Sequence, residues 1–200
     1  SSVACTFLLL ETDLHRGAQA LEIVLPGLDH FLNIAFEKDG TSTEGVAYWH
    51  YGLINFVALA EILLARSAGK IDLYSDARMP GIAAYPAKLL LSGSMFAAFS
   101  DADEEIHFNP GIVTRLAERS ADPSLYDLLA QPVEFPGDWR LPMMLRNALW
   151  WDGTQKPSPA IADAVLQGGG VARLVGSLAG SDAPVIAAIK AGHNAENHNQ

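Results

Sequence analysis

The chain changes its hydrophobic pattern once, and this change limits the fold more than any other feature. Up to about Trp151, apolar residues recur at helical spacing in successive stretches joined by short polar loops. After three consecutive glycines at 168–170, two short apolar runs at 171–175 and 184–189 predict β-strands. We therefore expect a mainly α protein, with a helical part over residues 1–157 and the first strands of a sheet domain over residues 158–200.

Two of the predicted helices have clear boundaries. Residues 47–68 follow a polar turn, and their apolar positions cover a wide face, which predicts a helix buried on most sides in a multi-helix array. Asn109 and Pro110 predict a second helix start, with the asparagine as the cap and the proline in the first helical position. Shorter helices are expected at 83–91, 124–130 and 141–151.

The two predicted strands are separated by Gly180, Ser181 and Asp182, which is a sequence typical of a hairpin turn. Two strands alone are marginally stable in water, so we expect a larger antiparallel sheet that continues after Gln200. The chain starts as if inside a helix and ends inside a motif, which predicts an internal fragment.

Composition excludes several classes of function. A formal net charge of -10 argues against a nucleic-acid partner, and an anionic polysaccharide would need a local basic groove. Cys5 is the only cysteine, so no intrachain disulfide can form. No apolar run reaches the roughly 18 residues of a spanning helix without interruption, so we expect a soluble segment without membrane insertion.

The last nine residues, from Gly192 to Gln200, are the first candidate for a site. They contain two histidines, three asparagines, one glutamine and one glutamate directly after a strand-like run. Each of these side chains can donate or accept a hydrogen bond, and some can bind a metal. Clustering at a strand exit indicates a site rather than an ordinary turn.

The second candidate lies at the start of the long helix, in residues 43–52. Tyr48 and Tyr51 are three apart, so they project from nearly the same face of a helix. The alternative is that both are amphipathic helix residues with hydroxyls at the edge of the core. Glu44 is interpreted as a carboxylate at the helix start that satisfies backbone donors.

Together these two segments resemble a known family. The final run resembles the G-x-N-x-E-x-H-N-x-N-D-x-G-S-F signature of the heparinase II/III-like polysaccharide lyases, and residues 43–52 resemble their E-G-x-x-Y-W-x-Y-G helix start. The two motifs occur in the family's order, about 150 residues apart. The resemblance implies an incomplete (α/α) toroid followed by the start of an antiparallel β-sandwich, and a periplasmic or secreted location.

The resemblance also implies a reaction and its residues. These lyases cleave uronic-acid-containing glycans by β-elimination, which requires a base for the C5 proton, an acid for the leaving oxygen and donors for the carboxylate. Tyr48 takes the position of the catalytic tyrosine, with Tyr51 as a wall or substitute, and a donating neighbour would have to lower the phenol pKa from about 10. His198 takes the position of the motif histidine, for carboxylate neutralisation or proton transfer. Its alternative role is to tie the loop to the helical domain.

The remaining site residues are predicted to bind substrate. Trp49 and His50 could line a sugar subsite, with buried packing as an equal alternative for Trp49. The final segment would orient His198 or bond sugar hydroxyls through His193, Asn194, Glu196 and Asn197. In some family members a second histidine helps hold a divalent metal, zinc or calcium, but Gln200 stands there, so we predict no metal site and no certain cofactor.

Two functions follow as hypotheses. The first is a lyase acting on an anionic polysaccharide or oligosaccharide. The second is a non-catalytic glycan-binding or scaffold protein that has the same fold and lacks part of the site, which the replacement at Gln200 suggests.

Overall fold

Seven α-helices and five strands make up the computed structural model over residues 2–129, 141–153, 160–180 and 182–192, the part of the chain that the structure describes. The helices are α1 (Ser2–Leu9), α2 (Glu11–Leu14), α3 (Gly17–Ile34), α4 (Val46–Arg66), α5 (Met79–Leu89), α6 (Pro110–Ser120) and α7 (Leu141–Trp150). Two 3-10 helices, Leu73–Ser75 and Pro123–Leu129, lie between them. The strands are β1 (Leu90–Ser92), β2 (Met95–Phe96), β3 (Ala164–Leu166), β4 (Val171–Ser177) and β5 (Pro184–Lys190).

Helix α4 is the centre of the core. It packs against α1, α5 and α6, and eleven of its residues are buried. Apolar residues around most of its circumference explain this position, because a helix that is hydrophobic on several sides must be covered on several sides. The rings of Trp49 and His50 both meet Phe108 edge to face, at centroid distances of 5.8 and 5.0 Å.

A buried polar network joins α4, α6 and α7. The backbone N–H of Asn109 donates to His50 Nε2 at 3.0 Å, and Asn147 Nδ2 donates to Asn109 Oδ1 at 3.2 Å. Asn147 Oδ1 in turn accepts the backbone N–H of Gly111 at 3.1 Å. The helix start at Pro110 is therefore confirmed, but Asn109 makes no side-chain capping bond. Asn147 of α7 satisfies a free donor of the first turn instead.

The three-stranded sheet has the order β3-β4-β5 and is antiparallel. Arg173 of β4 is buried and fixes the sheet to the helices: its guanidinium donates to the carbonyls of Ala87 at 2.8 Å, Leu90 at 2.7 Å and Ala162 at 2.9 Å. The turn after β3 also contacts the helical part, because the Gly168 N–H donates to Asp39 Oδ2 at 2.8 Å. Together these bonds join the sheet to the helical body.

One face of this sheet is apolar and exposed. Ala172 pairs with Val165 on one side and Ile189 on the other, and Leu174 pairs with Ala187. Exposed fractions of 62% for Val165 and 54% for Ile189 show that no described residue covers this face. A second sheet would cover such a face in a β-sandwich.

The mainly α fold with antiparallel strands after it is confirmed. The helix predicted over 47–68 lies within two residues of its predicted bounds, and the helix predicted to start at Pro110 starts there. Closure into a toroid and completion of a sandwich stay predictions. Residues 154–159, around the predicted domain boundary, lie outside the described part.

The expectation that no helix is long and apolar enough to cross a membrane is wrong by length and composition. Helix α4 has 21 residues, and an 18-residue window within it has a mean hydropathy of 1.3 and is 61% buried inside the protein. Its burial identifies the same helix as the core of the helical part, where an apolar sequence of this length is also expected.

Candidate functional site

The first turn of α4 presents two tyrosines to solvent. Tyr48 is 44% exposed and Tyr51 is 58% exposed, one helical turn apart on the same side. This arrangement agrees with the i, i+3 spacing in the sequence. Both phenols are therefore available to a ligand.

A glycine brings a carboxylate to Tyr48. Gly45 begins α4 with φ of 92°, a left-handed conformation that side chains rarely adopt. A Cβ on Gly45 would lie 2.8 Å from the Phe99 carbonyl oxygen, so only glycine lets the loop after Phe99 approach this closely. The loop then turns at Ser100, which has φ of 62°, and continues into Asp101.

The Asp101 carboxylate acts on the Tyr48 phenol through its negative charge. This charge raises the pKa of Tyr48 above its ordinary value, with a smaller contribution from Glu44. A tyrosine that acts as a base needs a lowered phenol pKa, whereas the pKa of Tyr48 is raised. At neutral pH the Tyr48 hydroxyl keeps its proton and can donate it.

Lysine at the end of the sheet contacts the same loop. Lys190, the last residue of β5, donates from Nζ to Ser100 Oγ at 3.0 Å. Ala191 then donates its N–H to the carbonyl of Gly170 at 2.7 Å, which holds the exit of the strand in place. The chain therefore enters its final segment next to the loop that carries Asp101.

The side chains of the next two residues, Trp49 and His50, are buried in the core instead of facing solvent. Trp49 is 1% exposed, and its indole N–H donates to the Ile82 carbonyl at 2.6 Å. His50 is 9% exposed and belongs to the polar network with Asn109. This geometry does not support the predicted direct contact of Trp49 and His50 with a sugar. For Trp49 it fits the predicted alternative of buried packing, and His50 is buried as well, which was not predicted.

A groove opens beside Tyr51. It has a volume of about 380 Å³ and lies between α4 and the first turn of α7, with Tyr51, Ile54, Asn55, Leu141, Pro142 and Met143 as its lining. The amide of Asn55 donates from Nδ2 to the Tyr51 carbonyl at 3.2 Å. The volume of the groove falls within the range of small-molecule sites.

The predicted residues of the final segment, His193, Asn194, Glu196, Asn197 and His198, lie outside the described residues, as does Gln200. Their distance from Tyr48 and their predicted roles therefore stay predictions. Within the described ranges, no group of three or more His, Cys, Asp or Glu side chains could hold a metal ion.

Asp101 is the site residue that the sequence did not reveal. It belongs to an acidic stretch, residues 101–105, which is most simply interpreted as a solvated loop. Its proximity to Tyr48 depends on a loop more than fifty residues later in the chain, which no local pattern predicts. The only local signal is Gly45, whose position before a helix indicates a close approach of another segment.

No family model matches this chain, and no curated protein is significantly similar to it.

Proposed function

We propose that this chain carries part of the active site of a lyase that cleaves uronic-acid-containing polysaccharides by β-elimination. The observation that carries the proposal is the exposed Tyr48 phenol at the start of α4, whose pKa the charge of Asp101 raises. The motif resemblance at residues 43–52 and 192–200 gives this phenol its chemical context.

In the proposed reaction, Tyr48 is the general acid. A base removes the C5 proton of the uronate, the electron pair forms the C4–C5 double bond, and the C4–O bond breaks. The Tyr48 hydroxyl donates its proton to the leaving oxygen. A raised phenol pKa fits this donor role, because the proton is present at neutral pH.

His198 is proposed as the group that takes the C5 proton or neutralises the carboxylate. Lys190 contacts the loop of Asp101, and Gly192 is the last described residue of that segment. Six residue steps lead from Gly192 to His198 and can span at most about 20 Å. A site shared by Tyr48 and His198 therefore requires that Tyr48 lies within this reach of Gly192.

The test is the formation of unsaturated product. Alginate, heparan sulfate, hyaluronan and chondroitin are each mixed with the protein, and ultraviolet absorbance of the C4–C5 double bond is followed. We expect product from at least one polymer and at least a hundredfold lower kcat for Tyr48→Phe. Tyr126→Phe is the matched control, because Tyr126 lies on the 3-10 helix Pro123–Leu129 and is not among the proposed site residues, and its kcat should remain within a few fold.

The second candidate function is glycan binding without cleavage. The raised pKa of Tyr48 favours it, since a phenol beside a carboxylate cannot easily become a base. Saturable binding of an uronate oligosaccharide without any unsaturated product, unchanged in Tyr48→Phe, would establish this function and reject the lyase.

A further inference from the structure

The loop of residues 97–103, which carries Asp101, lies against the start of α4. A Cβ on Gly45 would be 2.8 Å from the Phe99 carbonyl oxygen, so the loop and the helix start are in close contact. The Asp101 charge is the largest influence on the Tyr48 phenol. Because such an influence falls with distance, a movement of the 97–103 loop would change it.

The turn inside this loop needs a contact that holds it. Ser100, directly before Asp101, has φ of 62°, a left-handed conformation that is uncommon for residues other than glycine. Residues in such conformations persist where the surrounding structure stabilises them. Lys190 supplies a stabilising contact, because its Nζ donates to Ser100 Oγ at 3.0 Å. A charged donor makes a stronger hydrogen bond than a neutral one.

The sheet gives Lys190 a fixed position. Lys190 pairs with Val171 of β4, and buried Arg173 of the same strand bonds carbonyls of the helical part. Alternation along β5 places Lys190 on the same face as Ala188, which packs against the core, whereas Ile189 between them is exposed. The ammonium therefore comes from a strand that is anchored without the help of the 97–103 loop.

Two effects of Lys190 on the phenol would have opposite signs. Asp101, and to a smaller extent Glu44 and Tyr51, raise the pKa of Tyr48. A cation that acted directly on the phenol would lower this pKa. A lysine that holds Asp101 in place would instead keep the pKa raised, so the sign of the change in a Lys190 variant distinguishes the two roles.

We propose that Lys190 is a positioning residue for Tyr48: by holding Ser100, it keeps the 97–103 loop and its Asp101 charge beside the start of α4. Through this contact, the strand that leads into the final segment controls how readily the phenol loses its proton. For its part in catalysis the inference rests on the proposed function, in which Tyr48 donates that proton.

The test is the titration of Tyr48 in variants of Lys190. Ultraviolet absorbance of the phenolate is followed, with Tyr48→Phe in each background to isolate one tyrosine. Lys190→Met removes the donor and keeps a long, unbranched side chain, so the loop should move away and the Tyr48 pKa should fall. We expect this fall to reach at least about half of that in Asp101→Asn, since both changes weaken the same charge. Lys190→Arg keeps a cationic donor and should largely preserve the titration of the unmodified protein.

Ser100→Ala provides a second route to the same result, because it removes the acceptor while Lys190 keeps its charge. It should also lower the Tyr48 pKa, and combining it with Lys190→Met should add nothing, since both act through one hydrogen bond. Lys70→Met is the matched control for the loss of one cation, because Lys70 is exposed beyond the last turn of α4. Thermal melting confirms that each variant is folded.

An unchanged Tyr48 titration in folded Lys190→Met would overturn the positioning role, and a raised pKa would show a direct effect of the cation instead. Additive shifts from Lys190→Met and Ser100→Ala would also contradict it. The lyase proposal is tested separately, because these titrations contain no polymer. Product formation with an unshifted titration rejects only the role of Lys190, whereas the expected shifts without product reject only the reaction.

Discussion

The Asp101 carboxylate is the largest influence on the Tyr48 phenol, and it raises the pKa where a nearby cation would lower it. Gly45 permits the close approach of the loop after Phe99, and that loop carries Asp101, whose charge acts on the phenol. A larger residue at position 45 would move this loop, and with it the Asp101 charge, away from the phenol.

Replacing Asp101 with asparagine should lower the pKa of Tyr48. The change removes the negative charge that opposes ionisation of the phenol and keeps a side chain of the same size. Ultraviolet titration of the phenolate, with Tyr48→Phe in each background to isolate one tyrosine, measures the shift. An unchanged Tyr48 titration would mean that Asp101 is not its partner.

Replacing Gly45 with alanine should have a similar effect by a different route. The new Cβ would lie 2.8 Å from the Phe99 carbonyl oxygen, and the backbone φ of 92° is unfavourable for alanine, so the loop should move away. We expect a loss of about 1–3 kcal/mol of unfolding free energy and a lower Tyr48 pKa. Gly27→Ala is the control, because nothing lies within 4 Å of its Cβ. A Gly45→Ala protein as stable as the control would refute the close approach.

At the scale of elements, α4 holds its position through a polar network as well as through apolar packing. His50, Asn109 and Asn147 are all buried, and each lies on or next to a different helix. Buried polar groups specify one arrangement because each must keep its partner. This network fixes the rotation of α4 and hence the side from which Tyr48 and Tyr51 project.

Asn147→Ala should destabilise the protein by about 1–3 kcal/mol, because it leaves the Gly111 N–H and the Asn109 side chain buried without their bonds. Denaturant unfolding measures the loss. Gln19→Ala on exposed α3 is the matched control and should change stability by less than about 0.5 kcal/mol. A loss for Asn147→Ala no larger than this would show that the network is not formed.

The sequence predicted these helices because periodicity is a local property of the chain. The sequence predicts the helix start at Pro110, but it does not predict that Asn147 accepts the Gly111 N–H of the first turn, because Asn147 lies on another helix. The short strands β1, β2 and β3 were missed, because three residues or fewer carry too little alternation to distinguish them from loops. The i, i+3 spacing predicts that Tyr48 and Tyr51 lie on the same side of α4. The position of Asp101 and the groove beside Tyr51 depend instead on contacts between residues that are distant in sequence.

At the scale of the whole molecule, polar contacts join the helical part to the sheet. Arg173 donates to carbonyls of the helical part, and Asp39 accepts from Gly168 at the turn after β3. Gly169 lies so close to Thr41 that a Cβ would be 2.5 Å from its methyl group. This joint positions β5, and with it the entry to the final segment.

Acid should weaken this joint through Asp39. Partial burial raises the pKa of Asp39, but hydrogen bonds from Gly168 and Thr41 outweigh it, so the folded pKa lies below the ordinary value. The stabilisation is therefore complete above the unfolded pKa of about 4 and is lost as pH falls through the folded pKa. Asp39→Asn should reduce the difference in melting temperature between pH 7 and pH 3, with Asp13→Asn on exposed α2 as the control. An identical acid response in Asp39→Asn and the unmodified protein would contradict this role.

The convergence of Tyr48 and His198 is the central claim, and a distance measurement tests it most directly. The tyrosines are replaced by 3-fluorotyrosine, and a nitroxide is attached to His198→Cys in a Cys5→Ser background. The ¹⁹F signal of Tyr48, assigned by its loss in Tyr48→Phe, should be broadened more strongly than that of Tyr74, a buried residue that bonds Glu61. A Tyr48 signal as sharp as in the unlabelled protein would contradict the shared site and the lyase proposal with it.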